Sequence, residues 1–328
     1  MKGLKNKRQH FIPQCYLKCF SENDKFLWIY NKNYQKVFRQ SISRTACQDD
    51  FYKIPEKYIA LINDNKFDPN FFEKEFFDNM VEHLFGPLLK AINRKAEEWI
   101  TDGNSNIILS QEDKEIFAEL IAIQYLRMPN MREKNTSLIE KRSIVQLEII
   151  KAFYVDQYPE NKEFINSISG KYDNDHKAVA HANVFSHPGI VNNLQSDFLN
   201  KIWIFYVSES KDFYTSDNPV LIFDPHLEQQ PLIYEGLSTK GVELIFPIGH
   251  SVLLTLWDKD FFKSKCIDNK FQTIDDKSKR RYNLYQYSWA NGELYSRKDN
   301  FDLIEKFKQV NGGEETFLKS PKILVNGK

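Results

Sequence analysis

The spacing of hydrophobic and polar residues divides this chain into a helical half and a strand-rich half. Apolar residues recur at helical spacing through three long segments, at about 70–100, 110–127 and 132–154. After residue 200 the apolar residues instead come in short runs that are typical of strands. These runs are 202–207, 220–223, 231–234, 242–246 and 252–257. Because the helices precede the strands rather than alternating with them, the pattern predicts an α+β fold with a mostly antiparallel C-terminal sheet.

Shorter elements complete this pattern at both ends of the chain. The stretch 25–39 predicts a β-hairpin whose polar turn is Asn31–Tyr34. No repeat or low-complexity linker divides the chain, so we expect one cooperative domain over residues 1–312 and a loose tail over 313–328. The other predicted elements are a short helix after Pro13, helices at 173–200 (interrupted at Pro188), 276–289 and 301–310, and a strand at 293–296.

The composition argues against several classes of protein. The 45 basic residues balance the 45 acidic ones, so no net charge draws the whole chain to nucleic acid or to an anionic membrane. The four cysteines form no disulfide framework, the first residues form no apolar signal segment, and no run approaches the ~20 apolar residues of a membrane span. We therefore expect a cytoplasmic protein without a membrane partner, and the sequence sets no oligomeric state.

Two local basic patches leave a nucleic-acid or nucleotide partner open. A solvated surface is the commoner role of such patches, so nucleic-acid binding by either patch is the minority interpretation. The patches are Lys2, Lys5, Lys7 and Arg8 in the N-terminal tail, and Lys277, Lys279, Arg280 and Arg281 at a helix start.

The opening segment, His10 to Phe20, places a titratable ring and an amide beside the start of a helix. Pro13 suits the first position of a helix, because that position needs no backbone N–H. His10 and Gln14 then lie near the helix N-terminus, where free N–H groups favour anions. The apolar residues Tyr16, Leu17 and Phe20 follow at helical spacing and predict the face that docks the helix on the body of the protein.

Two further segments carry polar residues in apolar surroundings. Gln124 and Arg127 lie three residues apart on one face of an otherwise apolar helix. A guanidinium in that setting requires a carboxylate or a ligand phosphate, and either Glu82 or Asp217 could be an internal partner. The turn Ser216-Asp217-Asn218 precedes Pro219 and joins two strands, and such residues commonly hydrogen-bond the local backbone.

Together these segments resemble a large bacterial family known only as a domain of unknown function. The resemblance extends over about residues 8–296. Some family members lie among antiphage defence genes, so the resemblance implies a defence role. It implies no particular fold or activity. The motifs that carry it are His-x-x-Pro-Gln-x-Tyr-Leu-x-x-Phe at His10 to Phe20, Gln-x-x-Arg-x-Pro-x-x-Arg at Gln124 to Arg132, and Thr-Ser-Asp-Asn-Pro at Thr215 to Pro219. Weaker matches are Asp50-Phe51-Tyr52, Glu75, Glu82 and Phe246-Pro247-Ile248.

Metal binding is a further possibility that the sequence leaves open. Cys15 and Cys19 lack the paired spacing of a zinc site, so buried thiols are the simpler interpretation. A hard ion such as Mg²⁺ could be held by Asp217 with Glu75 or Glu82, because Mg²⁺ needs few protein carboxylates. No phosphate-binding glycine loop and no Gly-x-Ser-x-Gly motif is present.

The leading functional hypothesis is a nuclease-like or phosphodiesterase-like effector that acts on RNA, DNA or a nucleotide. His10 would be the general acid–base group, and Asp217 would orient it or bind Mg²⁺. Ser216 could serve as a nucleophile, although Ser and Asp adjacent on a turn usually point apart. Gln14, Gln124, Arg127 and Asn218 would bind the substrate. We expect His10, Gln14, Arg127 and Asp217 to share one cleft.

The alternative hypothesis is a sensor or binding module without catalysis. The same polar residues would then form a structural network that joins the N-terminal helix to the strand-rich half. A buried and fully hydrogen-bonded network would combine the same residue types, because each buried polar group needs a partner.

Overall fold

The fold is taken from a computed structural model, in which residues 8–62, 67–103, 107–170, 172–223, 241–261 and 268–310 are described. It confirms the predicted α+β class, with a short N-terminal helix and hairpin, central helices and C-terminal strands. The helices are α1 (Gln14–Lys18), α2 (Glu56–Ile62), a π-helix (Phe72–Val81), α3 (Glu82–Asp102), α4 (Gln111–Leu126), α5 (Pro129–Gln157), α6 (Lys162–Ser167), α7 (His176–Ser186), α8 (Pro188–Leu199), α9 (Asp276–Trp289) and α10 (Asp302–Val310).

Local sequence signals explain where several helices begin and end. Ser110 starts α4, and its hydroxyl accepts a hydrogen bond from the backbone N–H of Asp113 at 3.0 Å. Pro129 occupies the first position of α5, where no backbone N–H is needed. Gly103 ends α3 at a φ of 69°, in the left-handed region that glycine adopts without strain.

The strands form three sheets. A five-stranded sheet has the order β10-β5-β9-β8-β7, in which β10 runs parallel to β5 and the other neighbours are antiparallel. A four-stranded antiparallel sheet has the order β3-β2-β11-β6, and β1 pairs with β4. The strands are β1 (Arg8–His10), β2 (Phe26–Asn31), β3 (Lys36–Ser41), β4 (Cys47–Asp49), β5 (Lys201–Val207), β6 (Thr215–Ser216), β7 (Leu221–Phe223), β8 (Glu243–Gly249), β9 (Val252–Asp258), β10 (Lys270–Thr273) and β11 (Glu293–Ser296).

The main hydrophobic core lies between the helical half and the five-stranded sheet. The predicted docking face of α1 is confirmed, since Tyr16, Leu17 and Phe20 have no exposed surface. The ring of Tyr16 stacks on Phe246 of β8, with ring centroids 5.3 Å apart and planes inclined by 7°. Because α1 has only five residues, this burial rather than helix propensity holds it in place.

The structure departs from the sequence pattern in the helix expected at about 70–100. This segment is a ten-residue π-helix followed by α3, and α3 runs unbroken through Gly86 and Pro87. The strand expected at 231–234 and the tail at 313–328 lie outside the described residues. None of the described helices combines the length and the apolar character required to cross a membrane.

Candidate functional site

The opening segment, His10 to Phe20, is hydrogen-bonded to the strand-rich half through the hydroxyl of Tyr16. This hydroxyl donates to the backbone carbonyl of Pro247 at 2.7 Å and lies 2.7 Å from the hydroxyl of Thr215. Tyr16 belongs to the opening motif, and Thr215 begins the Thr-Ser-Asp-Asn-Pro motif. Two motifs that are 199 residues apart in sequence therefore meet in one buried hydrogen-bonded contact.

Arg127 lies at the end of α4 and points into the protein, with only 1% of its surface exposed. Its Nη2 donates to the backbone carbonyl of His10 at 2.5 Å, and its Nε donates to the hydroxyl of Tyr52 at 3.2 Å. Nη2 also lies 3.6 Å from a carboxylate oxygen of Glu82. The guanidinium packs 4.1 Å from the ring centre of Phe77. Arg127 thus connects β1 to the π-helix and to the start of α3.

The π-helix brings two glutamates to the same guanidinium. Glu73 and Glu82 are nine residues apart, and both carboxylates act electrostatically on Arg127. In an α-helix nine residues make about two and a half turns and would point the two side chains to opposite sides. The i→i+5 hydrogen bonds of a π-helix widen each turn, so nine residues make roughly two turns. Phe77, between them, lies on the same side and stacks on Arg127.

Burial perturbs the acid–base behaviour of both glutamates. It raises the pKa of Glu73 to about 7, although the charge of Arg127 opposes this shift. It also raises the pKa of Glu82, again against the effect of Arg127. Burial by itself would lower the pKa of Arg127. Tyr52 and the two glutamates raise this pKa by more, so the net pKa of Arg127 is raised. A charged guanidinium therefore acts electrostatically on the Glu73 carboxyl, whose pKa is about 7.

The His10 ring is buried and neutral at physiological pH. Burial lowers its pKa, with smaller contributions from Arg127 and Arg8, while a hydrogen bond to the backbone of Ile42 acts in the opposite direction. Nε2 has no hydrogen-bond partner among the described residues. The bond to Ile42 therefore uses Nδ1, which leaves Nε2 as the nitrogen with the free lone pair.

The two glutamines of the predicted site have different environments. Gln124 is buried, and its Nε2 donates to the backbone carbonyl of Phe11 at 3.3 Å and to the sulfur of Met128 at 3.0 Å. Gln14 lies exposed at the start of α1. The structure therefore brings His10, Gln124 and Arg127 together, with Gln14 on the nearby surface of α1.

Four polar atoms in this group are buried and lack a partner among the described residues. They are His10 Nε2, Glu73 Oε2, Gln124 Oε1 and Arg127 Nη1. Buried polar atoms in native proteins are almost always hydrogen-bonded, and the explanations for exceptions include a catalytic role, a bound water or an ion. We call His10, Tyr52, Glu73, Glu82, Gln124 and Arg127 the Arg127 cluster.

Asp217 belongs to a different network. Its carboxylate accepts hydrogen bonds from the backbone N–H groups of Asn291 at 2.7 Å, Gly292 at 2.7 Å and Glu293 at 3.1 Å. Burial raises its pKa to about 7, against the effect of these amides. The carboxylate therefore holds the turn before β11, and its hydrogen bonds among the described residues do not include His10, Gln14 or Arg127.

Ser216 and Asn218 are held by α9. The hydroxyl of Ser216 donates to Oε1 of Gln286 at 2.8 Å and accepts from the backbone N–H of Asn218. The Asn218 side chain donates to the carbonyl of Trp289 at 3.1 Å. The side chains of Ser216 and Asn218 therefore hydrogen-bond α9 and not the Arg127 cluster. Of the four residues expected to share one cleft, only Arg127 and His10 are joined by a hydrogen bond among the described residues, through the backbone carbonyl of His10.

The described residues include no group of three His, Cys, Asp or Glu side chains arranged to hold a metal ion. Glu75 is exposed and accepts a hydrogen bond from Asn79, whereas Glu82 lies beside Arg127. Burial raises the pKa of Cys15 and of Cys19 to about 12, so both remain thiols at neutral pH.

The basic patch at the start of α9 is divided between two environments. Lys279 is buried, donates to Ser210 at 2.6 Å and lies 3.2 Å from Asp212, so its charge is paired inside the protein. The other three basic residues line a cleft of about 520 Å³ with two aromatic rings. The lining includes Lys277, Arg280, Arg281, Tyr285 and Phe307, together with one acidic residue, Asp276.

Comparison of the amino-acid sequence with known proteins identifies its family. The profile of a family described as "Protein of unknown function (DUF4238)" matches residues 8–300. The chain belongs to the DUF4238 family. No significant match is found among curated proteins or among solved structures. The DUF4238 match includes the whole Arg127 cluster and the Asp217 network.

Sequence reasoning missed Glu73, the acidic side chain that is most deeply buried in the cluster. The sequence pattern predicts an ordinary helix here and singles out Glu75 and Glu82. The available signal was the run of phenylalanines around Glu73, at positions 71, 72, 76 and 77. In a helix Phe76 and Phe77, three and four residues after Glu73, lie on either side of it, and this position within the aromatic face indicates that Glu73 is buried.

Proposed function

We propose that this protein is a bacterial defence effector that hydrolyses a phosphodiester or a related bond in RNA, DNA or a nucleotide at the Arg127 cluster. The observation that carries the proposal is the set of four buried polar atoms without partners, on His10, Glu73, Gln124 and Arg127. These atoms comprise acceptors and a cationic donor. A phosphate-bearing ligand offers the complementary oxygens and hydroxyl groups.

The cluster contains the groups that such a reaction requires. Hydrolysis of a phosphodiester needs a base that takes a proton from the attacking water and an acid that protonates the leaving oxygen. It also needs positive charge beside the phosphoryl oxygens. Nε2 of neutral His10 would take the proton from the attacking water. The carboxyl of Glu73, whose pKa is about 7, would return a proton to the leaving oxygen. The guanidinium of Arg127 would bind the phosphate.

The basic cleft beside α9 gives independent support for a phosphate-bearing target. Lys277, Arg280 and Arg281 are exposed along it, and Tyr285 and Phe307 provide ring faces. Cationic side chains next to aromatic rings are typical of surfaces that bind single-stranded nucleic acids and nucleotides. The defence role itself follows from the family resemblance.

The enzymatic test uses purified protein with labelled single-stranded RNA, DNA, NAD and nucleotides. Glu73→Gln and His10→Gln should each lower kcat by about 10² to 10⁴, the usual range for loss of a general acid or base. Glu75→Gln is the matched control, because Glu75 lies two residues away in the same π-helix but is exposed. Absence of turnover on every substrate, or equal loss in the control, would refute the catalytic role.

A second candidate function is a sensor or binding module in which these residues are structural. It is favoured by one observation, the 1% exposure of both Gln124 and Arg127. Phage challenge of a bacterial host distinguishes the two candidates. Under the enzymatic proposal, wild type protects the host, and Glu73→Gln, expressed at the same level, does not. Equal protection together with lower thermal stability of the variant would support the structural module.

A further inference from the structure

From Leu138 onward, α5 carries large apolar side chains that face solvent. Seven of them are 48–64% exposed: Leu138, Ile144, Val145, Ile149, Ile150, Phe153 and Tyr154. At roughly 100 Å² for each half-exposed side chain, they contribute on the order of 700 Å² of apolar surface. Three of them, Val145, Ile149 and Phe153, lie on one face of the helix, and exposed apolar patches on soluble proteins mark interaction sites. A surface of this kind is typical of a protein interface.

The rest of the described chain covers only one side of this part of α5. The helix packs on α7 near its start, where Asn135 donates to the carbonyl of Ala180 at 3.2 Å. Farther along, α5 packs against α6 and the turn before it, and the half-buried positions are Leu147, Lys151 and Val155. These three recur every four residues and define one side of the helix.

A stripe of five exposed residues runs along the opposite side. It consists of Arg142, Val145, Ile149, Phe153 and Asp156, with spacings of three, four, four and three residues. Such spacing keeps all five on one face and resembles the seam of a coiled coil. The stripe has an internal symmetry: the apolar residues are centred on Ile149, and the two charged residues lie seven positions to either side with opposite signs.

We propose that this stripe is the interface of a homodimer in which two copies of α5 pack antiparallel about a two-fold axis at Ile149. The antiparallel arrangement places Val145 against Phe153 of the partner subunit. It places Arg142 beside Asp156 of the partner subunit, and the two-fold axis repeats both contacts. The stripe therefore matches itself in both shape and charge.

Symmetry and charge favour a second copy over other occupants. A standard interface buries about 800 Å² on each partner, and Val145, Ile149 and Phe153 supply roughly 300 Å² of it as an apolar centre between the charges of Arg142 and Asp156. From Glu140 to Asp156 the helix carries three acidic and three basic residues. A membrane-binding or nucleic-acid-binding helix would instead have an excess of Lys and Arg on its polar face.

Sedimentation equilibrium of the full-length protein at about 50 µM tests the proposal, because dimerisation depends on protomer concentration. Wild type should have twice the monomer mass, and Ile149→Glu should be monomeric, since it places two carboxylates at the two-fold axis. Ile150→Glu is the matched control, because Ile150 is similarly exposed but lies off the stripe. Circular dichroism should show that all three proteins are folded. A monomeric wild type, or equal effects of the two variants, would overturn the proposal.

Charge reversal tests the antiparallel register. Arg142→Asp and Asp156→Arg should each weaken the dimer by about tenfold, because each creates two like-charged contacts across the axis. The double variant restores opposite charges and should recover affinity close to wild type. A double variant as weak as the singles would refute this register and with it the proposed two-fold interface.

Discussion

The buried carboxyl of Glu73 should make the free energy of unfolding depend on pH in a way that one substitution removes. The side chain is 6% exposed, and burial raises its pKa from 4.5 to about 7. The folded chain therefore holds this proton more tightly than the unfolded chain does. Glu73→Gln keeps the size and polarity of the side chain and removes the titration.

The sign and size of the effect follow from proton linkage. Between pH 4.5 and 7 the folded chain keeps the Glu73 proton and the unfolded chain loses it. The stabilisation that comes from the bound Glu73 proton is fully present below about pH 4.5 and is lost as the pH rises through 7. The difference of about 2.5 in pKa corresponds to roughly 3 kcal/mol. Burial lowers the pKa of His181 to about 3 and of His250 to about 4, which acts in the opposite direction but equally in both proteins.

Urea unfolding of wild type and Glu73→Gln between about pH 5 and 8 measures this difference. The gap between the two free energies of unfolding should change by roughly 2–3 kcal/mol over this range, with wild type losing stability relative to the variant as the pH rises. Glu75→Gln should follow wild type throughout, because Glu75 is exposed on the same π-helix. Parallel curves for wild type and Glu73→Gln would refute the burial argument, and they would also remove the proposed acid from the site.

Two further substitutions test buried hydrogen bonds between segments that are distant in sequence. Asp217→Asn should lower the free energy of unfolding by about 2–4 kcal/mol, because an amide cannot accept hydrogen bonds from all three backbone N–H groups. Urea unfolding measures this change, and an unchanged midpoint would contradict the structural role of Asp217. Tyr16→Phe should cost about 1–2 kcal/mol by removing the contacts with Thr215 and Pro247. Tyr34→Phe, at a side chain 74% exposed, serves as its control in the same assay and should change stability by less than about 0.5 kcal/mol.

Much of the fold could be predicted from local patterns. The apolar face of α1, the proline at the start of α5 and the serine that caps α4 are each visible within a few residues of sequence. They depend on short-range geometry, that is, on helical spacing and on which backbone groups need a partner. The π-helix was not predicted, because the i→i+5 register depends on how Phe72, Phe77 and Arg127 pack rather than on the preferences of its own residues.

The candidate site shows the same division. The sequence identified His10, Gln124 and Arg127 as polar residues that required partners, since a buried polar group is costly wherever it lies. It did not identify the partners. The buried charge of Glu73 acts on Arg127 from the π-helix, and Asp217 binds the backbone of Asn291–Glu293 instead of His10.

The sequence by itself therefore determined the fold class, most helix bounds and the residues that could not remain unpaired. The tertiary structure alone decided which of these residues meet, because contacts such as that between Tyr16 and Thr215 join positions 199 residues apart. The local pattern does not show which distant residues will be in contact. These contacts depend on how α1, β8 and the π-helix pack in one core. Close packing permits few arrangements that also give every buried polar group a hydrogen-bond partner.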